Sequence, residues 1–346
     1  MRQTDRTVFI GVVCVVLAWF QVGLADEPLS RFEFHRKAMG VDFRIVLYAA
    51  EKGAAKGVAE AALDRVSEID ATCSDYRGDS ELRLMCDAAR PGIPFAVSRD
   101  LANVLEASQR VSRQTDGAFD VTLGPLTKLW RRARRQKELP GAIRLAEARK
   151  RVGYGLLKVD GPRRRVTLGQ AGMRLDLGGI AKGYAVDRAM EVLIDRGFRR
   201  ALVDGSGDLR VGDAPPGGRG WRVEVESLKR PGHSERRSQQ VLELVNVAIA
   251  TSGDAYQSVT IDGRRYSHIL DPRTGMGLTR SSSVTVIARD ATTADALASA
   301  ISVMGPVSGG CLVNQVDGIE LLFVTIEKKR RTVHRSRGWP GRDGIR

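Results

Sequence analysis

Apolar residues recur every three or four positions in four stretches of the chain. Val58, Ala62, Val66 and Ile69 predict a helix over residues 51–70. Leu101, Val104, Leu105, Ser108 and Val111 predict a second. Ala181, Ala185, Ala189, Val192 and Leu193 predict a third, with Gly197 placed to end it. Leu297, Ile301 and Met304 predict a fourth, ended by Gly305. Runs rich in β-branched and apolar residues predict strands at 43–48, 201–204, 221–226, 241–250, 283–288 and 320–326. The 221–226 run alternates residue by residue, as a strand with one wet face does. Residues 213–220 and 228–240 are rich in Gly, Pro or charge and predict loops. Strands in consecutive runs, without regular βαβα alternation, favour an α+β fold with largely antiparallel sheets and packed helices.

The N-terminus follows a different pattern. Arg2 and Arg6 precede an uncharged apolar run over 8–20, and Gly23 and Ala25 supply small residues before Asp26. This is the form of a secretory signal peptide over 1–25, so export to the periplasm or cell envelope is expected. A retained anchor is the alternative. No later apolar run reaches the ~18–20 residues that a membrane-spanning helix needs.

Composition narrows the class. The 346 residues are 42% hydrophobic and 28% charged, which excludes a disordered chain. Four cysteines exclude a disulfide framework, although Cys73 and Cys86 could close a short loop. The formal net charge is +14, with basic residues clustered at 128–137 and again from Lys328 to Arg337. Export and the lack of interleaved aromatics argue against nucleic acid. A solvated basic surface accounts for both runs, with proximity to a membrane surface as the alternative, and residues 327–346 are expected to form a disordered basic tail.

The common catalytic motifs are absent: no GxGxxG, Walker loop, GxSxG or HExxH occurs. Of four histidines, His268 alone lies in a dense polar turn, so it is the candidate for a base that titrates near neutrality. Asp295 and Ser299 stand four apart on the fourth helix and share a face. Their oxygens could hold Mg²⁺, although an early helical Asp also suits the helix dipole. The turn Asp176-Leu177-Gly178-Gly179 runs into the third helix, where free N–H groups could receive phosphate, with Lys182 as a point charge. Tyr76 and Phe119 could stack on a flat ring or simply pack.

Together these segments resemble the ApbE family of FAD:protein FMN transferases. The matching pieces are Met39-Gly40, SDY at 74–76 with SEL at 80–82, and DGAFD at 116–120 with GPL at 124–126. LDLGGIAKGYAVD at 175–187, ATSGD at 250–254, HILDPRTG at 268–275 and ADALAS at 294–299 complete the set, in family order. The resemblance spans 32–326 as a single domain and implies a T-fold-like architecture. It also implies Mg²⁺-dependent transfer of FMN from FAD to a Thr or Ser of an exported or membrane flavoprotein subunit of a redox complex, with AMP released. Met39, Tyr76, Ala118, Phe119, Asp120, Asp176, Lys182 and His268 would line the FAD site. The Gly179 carbonyl, Asp295 and Ser299 would hold Mg²⁺, Ser299 standing where the family usually has Thr. Val41 and Ser206 also depart from the family pattern. Hydrolysis of FAD to FMN and AMP, and flavin binding without chemistry, are the competing expectations.

Overall fold

A computed structural model describes residues 28–226, 239–253, 258–327 and 330–341. The expected signal peptide, most of the expected 228–240 loop, Asp254, Lys328 and Lys329 lie outside these residues. β1 (Ser30–Ala38) and β2 (Val41–Ala49) form an opening hairpin. Next come α1 (Lys52–Cys73), α2 (Glu81–Ala88), the short β3 (Phe95–Ala96), α3 (Arg99–Gln114), α4 (Gly124–Gln136) and α5 (Ala142–Arg149). β4 (Leu157–Asp160) and β5 (Arg165–Leu168) precede α6 (Ala181–Asp195). A run of strands follows: β6 (Ala201–Asp204), β7 (Asp208–Val211), β8 (Trp221–Glu226), β9 (Gln239–Leu244), β10 (Val247–Gly253), β11 (Ser258–Ile261), β12 (Arg264–Ser267) and β13 (Ser281–Ala288). α7 (Ala291–Met304), α8 (Pro306–Val313), β14 (Glu320–Glu327) and β15 (Arg330–Arg335) come last.

The main sheet has eight strands in the order β1-β2-β6-β7-β10-β13-β14-β15, and every pairing in it is antiparallel. Both faces are buried, and the alternation along each strand shows why. In β2, Phe43, Ile45 and Leu47 face one core while Val46 faces another. In β14, Leu321 and Phe323 take the first side, Leu322 and Val324 the second. The first core holds the apolar faces of α1, α3, α6 and α7. The second is closed by the β8–β9 hairpin through Trp221, Val223, Val225, Leu242 and Leu244. A smaller third core joins α4 and α5 to the β11–β12 hairpin through Leu126, Trp130, Ala148, Ile261 and Tyr266. This is the α+β, largely antiparallel arrangement that the strand runs imply.

Three expectations change. The apolar run at 241–250 is two strands in two sheets: β9 pairs with β8, and β10 pairs with β7 and β13. Asn246, at φ 53°, makes the break, a conformation that Asn tolerates better than most residues. The tail expected to be disordered contains β15, which pairs along β14, and Trp339, which is 2% exposed in the second core. Basic composition hid this, because the deciding feature is an open sheet edge and an apolar gap that one indole fills. The basic run at 128–137 lies largely on α4, whose Leu126, Trp130 and Ala133 are buried, so it is one flank of a packed helix. Cys73 and Cys86 are buried and free, with burial pushing both thiols up.

α6 and α7 approach so closely that a Cβ on Gly183 would lie 2.2 Å from the Ala291 carbonyl oxygen. Gly57, on the exposed side of α1, has open space instead. Gly57→Ala should stabilise the protein by about 0.5–1 kcal/mol. Gly183→Ala should destabilise it by roughly 1–3 kcal/mol, because overpacking outweighs the gain in helix propensity. Urea unfolding of the two variants checks the opposite signs.

Candidate functional site

Antiparallel pairing brings one set of strand ends together. The β1–β2 turn at Met39, the β6–β7 turn at 205–207, and the adjoining ends of β10 and β13 lie along the same end of the sheet. Met39, at φ 51°, packs against the helix-side core. Ser206 holds the left-handed conformation at φ 59°, and its hydroxyl donates to the Asp42 carbonyl at 2.9 Å, tying the two turns together.

The α6–α7 contact forms the centre of the site. Gly183 N–H donates to Asp295 Oδ2 at 3.2 Å. One turn earlier, a Cβ on Gly179 would lie 3.0 Å from Ser299 Oγ and 3.4 Å from the Phe119 ring. Ser299 Oγ is also 3.1 Å from Ser252 Oγ at the end of β10. Asp295 is 4% exposed. Burial and the nearby Asp208 carboxylate push its pKa up to about 7, against the pull of Lys182. Lys182 pairs with the buried Asp208. Burial opposes its charge, but Asp208 and Asp295 together hold the proton on more firmly than in water.

A second cluster surrounds Asp176. Its Oδ1 accepts from Gly178 N–H at 2.9 Å, closing the turn that leads to α6. Arg131 of α4 reaches Asp75 at 2.5 Å and Asp176 at 3.6 Å. The same guanidinium lies 3.9 Å over the ring of Tyr76, which is otherwise 76% exposed. Burial and Asp176 raise Asp75 to about 6, although Arg131 opposes the rise. Ala118 and Phe119 are buried, and Thr115 Oγ1 accepts from Phe119 N–H. The Asp120 carboxylate is also buried and accepts from both the backbone N–H and the hydroxyl of Thr122. The structure therefore shows Asp120 bracing the loop that holds Asp176, whose N–H donates to the Val121 carbonyl.

His268 is exposed, on the loop between β12 and β13. That loop is pinned to the α4–α5 pair. Trp130 Nε1 donates to the Gly275 carbonyl at 2.8 Å, and Arg149 donates to the Arg273 carbonyl at 2.5 Å. Consecutive residues of α4 thus join the histidine loop, through Trp130, to the Asp75–Tyr76–Asp176 cluster, through Arg131. Sequence reasoning did not single out Arg131, Asp75, Asp208 or Ser252. Asp75 and Ser252 lie inside quoted motifs, Asp208 follows the glycine turn at Ser206, and Arg131 was hidden in a run of like charges.

The sequence matches the ApbE family over residues 39–323. The chain belongs to the ApbE family. A Vibrio cholerae protein named FAD:protein FMN transferase is 32% identical over 304 residues, covering 86% of this chain and 89% of its own. The solved flavin transferase ApbE from Vibrio cholerae superposes with a TM-score of 0.79 at 29% identity, covering 90% of this chain and 98% of that one. The apo form of the Pseudomonas stutzeri flavinyl transferase ApbE also gives 0.79 at 29% identity, covering 89% and 95%.

In this ApbE chain no group of three or more His, Cys, Asp or Glu converges as a metal cage among the described residues. The oxygen donors at Gly179, Asp295 and Ser299 include a single carboxylate. A carboxyl raised in the fold favours folding at low pH, and that advantage is lost as pH rises through about 7. With divalent cations chelated, the wild type should therefore lose stability between pH 6 and 8 more steeply than Asp295→Asn, which denaturant titrations at the two pH values would show.

Proposed function

We propose that this protein transfers FMN from FAD to a Thr or Ser hydroxyl of an acceptor protein, releasing AMP, with Mg²⁺ as cofactor. That it is an FAD:protein FMN transferase follows from its family and its named relatives. The observation that carries the finer reading is the buried, one-carboxylate oxygen set formed where α6 meets α7. Mg²⁺ favours this kind of site, with one or two carboxylates and the rest of its shell from water and substrate phosphate. The residues fit it: Asp295 supplies charge, Ser299 a hydroxyl, and Gly179, whose Cα edge faces that hydroxyl, would supply a backbone carbonyl. Bound there, Mg²⁺ would neutralise charge that builds on the pyrophosphate oxygens.

The chain's own residues supply the rest. The exposed Tyr76 ring, braced by Arg131, offers a flat face for the flavin. At the N-terminus of α6 the Ala181 and Gly183 N–H groups are already taken by the Leu177 carbonyl and Asp295, so Lys182 is the group left there to meet phosphate. The acceptor oxygen attacks the FMN phosphorus, the bond from that phosphorus to the bridging oxygen breaks, and AMP departs with the bridging oxygen. His268, on its pinned but solvent-facing loop, takes the hydroxyl proton. An exposed base suits a macromolecular acceptor that must dock from outside. The acceptor class would be an exported or membrane flavoprotein subunit of a redox complex, in keeping with the expected signal peptide and a periplasmic or envelope location.

Mass spectrometry of a candidate exported flavoprotein, after incubation with enzyme, FAD and Mg²⁺, tests this. An FMN adduct on Thr or Ser together with free AMP is expected. AMP without adduct indicates hydrolysis, and neither product indicates a flavin binder. At saturating FAD, His268→Ala should slow transfer by roughly 10²–10⁴-fold, the usual contribution of a general base. A saturated rate within a few-fold of wild type moves that role to an aspartate such as Asp271. Tyr76→Ala should weaken FAD binding by about 1–3 kcal/mol, by analogy with base–aromatic stacking. The fold should be little affected, since the ring is mostly exposed; fluorescence titration and thermal melting separate the two.

A further inference from the structure

The contacts between α6 and α7 repeat at a spacing of four residues on both sides. Gly179 lies against Ser299, Gly183 donates to Asp295, and Asp187 reaches Ala291 and Thr292. On one strand of this ladder the positions are 179, 183 and 187. On the other they are 299, 295 and 291, running the opposite way. The first two rungs carry the proposed Mg²⁺ donors. The third has no role in that reading, yet it is the most heavily bonded.

Asp187 is 1% exposed. Its Oδ1 accepts from Ala291 N–H at 2.9 Å, and its Oδ2 accepts from Thr292 N–H at 2.9 Å and from the Thr292 hydroxyl at 2.5 Å. It thereby takes up N–H groups at the start of α7 that the helix itself leaves without partners. Asp290 caps the same end from within, accepting from Thr293 N–H at 2.8 Å. Arg210 of β7 balances the buried charge with an ion pair at 3.0 Å. Two residues earlier on the same strand, Asp208 pairs with Lys182 of α6. β7 thus holds α6 at two points, and Asp187 passes that hold on to α7.

We propose that Asp187, with Arg210 behind it, is a positioning residue for the Mg²⁺ donor set. It sets the axial register of α7 against α6, and so the distance from the Gly179 carbonyl to Asp295 and Ser299. A helix cap alone could come from Asp290. Reaching across from α6 is needed only if the offset between the two helices matters. This inference rests on the Mg²⁺ reading above.

The test is direct binding of Mn²⁺, an oxygen-seeking stand-in for Mg²⁺, to the full-length protein without FAD or acceptor, followed by the loss of the free-ion EPR signal. Asp187→Ala should raise the Mn²⁺ dissociation constant by roughly 10–100-fold, the usual effect of removing an outer partner of a metal site. Asp187→Asn keeps an acceptor for the helix N–H groups but loses the charge facing Arg210. It should fold, and should weaken Mn²⁺ binding by a smaller factor. Melting temperature, measured in chelator, reports the structural part separately. If either folded variant melts lower yet binds Mn²⁺ as wild type does, Asp187 only anchors the helix and the proposal fails. If wild type binds no Mn²⁺, or Asp295→Ala binds it equally well, the metal reading itself fails.

Discussion

Everything in the site depends on how near α6 can come to α7. Two helices normally stand 8–10 Å apart because side chains separate them. Here Gly183 removes the separating atom at the crossing, and Gly179 does so one turn earlier. The backbone N–H of one helix can then touch the carboxylate of the other. A carboxylate this deeply buried is unfavourable as an anion unless something compensates it. Lys182 and the Gly183 N–H do so in part.

That closeness is maintained by the sheet beneath. β7 lies fourth of eight strands, with its ladders satisfied on both sides by β6 and β10. Ion pairs rooted in such a strand have fixed origins, which is what Lys182 and Asp187 need if α6 is to act as a rigid support. The β10 end adds Ser252, so strand and helix both contribute oxygens around Ser299. The Asp295–Ser299 side of the site is therefore built from the main core.

The histidine side is built differently. Its loop rests on the third core, which is small and involves α4, α5 and the β11–β12 hairpin. Consecutive residues of α4 connect it to the Asp75–Tyr76–Asp176 cluster. Trp130 holds the loop backbone, and Arg131 holds two carboxylates and the Tyr76 ring. His268 is exposed and Asp295 is buried, and the two stand on separate cores.

Local chemistry was enough to reveal much of this. The helical periods of α1, α3, α6 and α7, the turn before α6, His268 in its polar turn, and the Asp295–Ser299 pair all follow from spacing along one element. So does the α+β class, because strand runs without alternation leave few other arrangements. What the sequence could not reveal were relations between elements. That 241–250 breaks between two sheets, that a basic tail supplies β15 and buries Trp339, and that Arg131 faces carboxylates all depend on what lies opposite. Asp187 shows the limit best. In sequence it is one acidic residue at the end of a motif. Only the antiparallel offset of α6 and α7 places it against Ala291 and Thr292, in the same ladder as Asp295 and Ser299, because contacts across more than a hundred residues of chain are decided by packing.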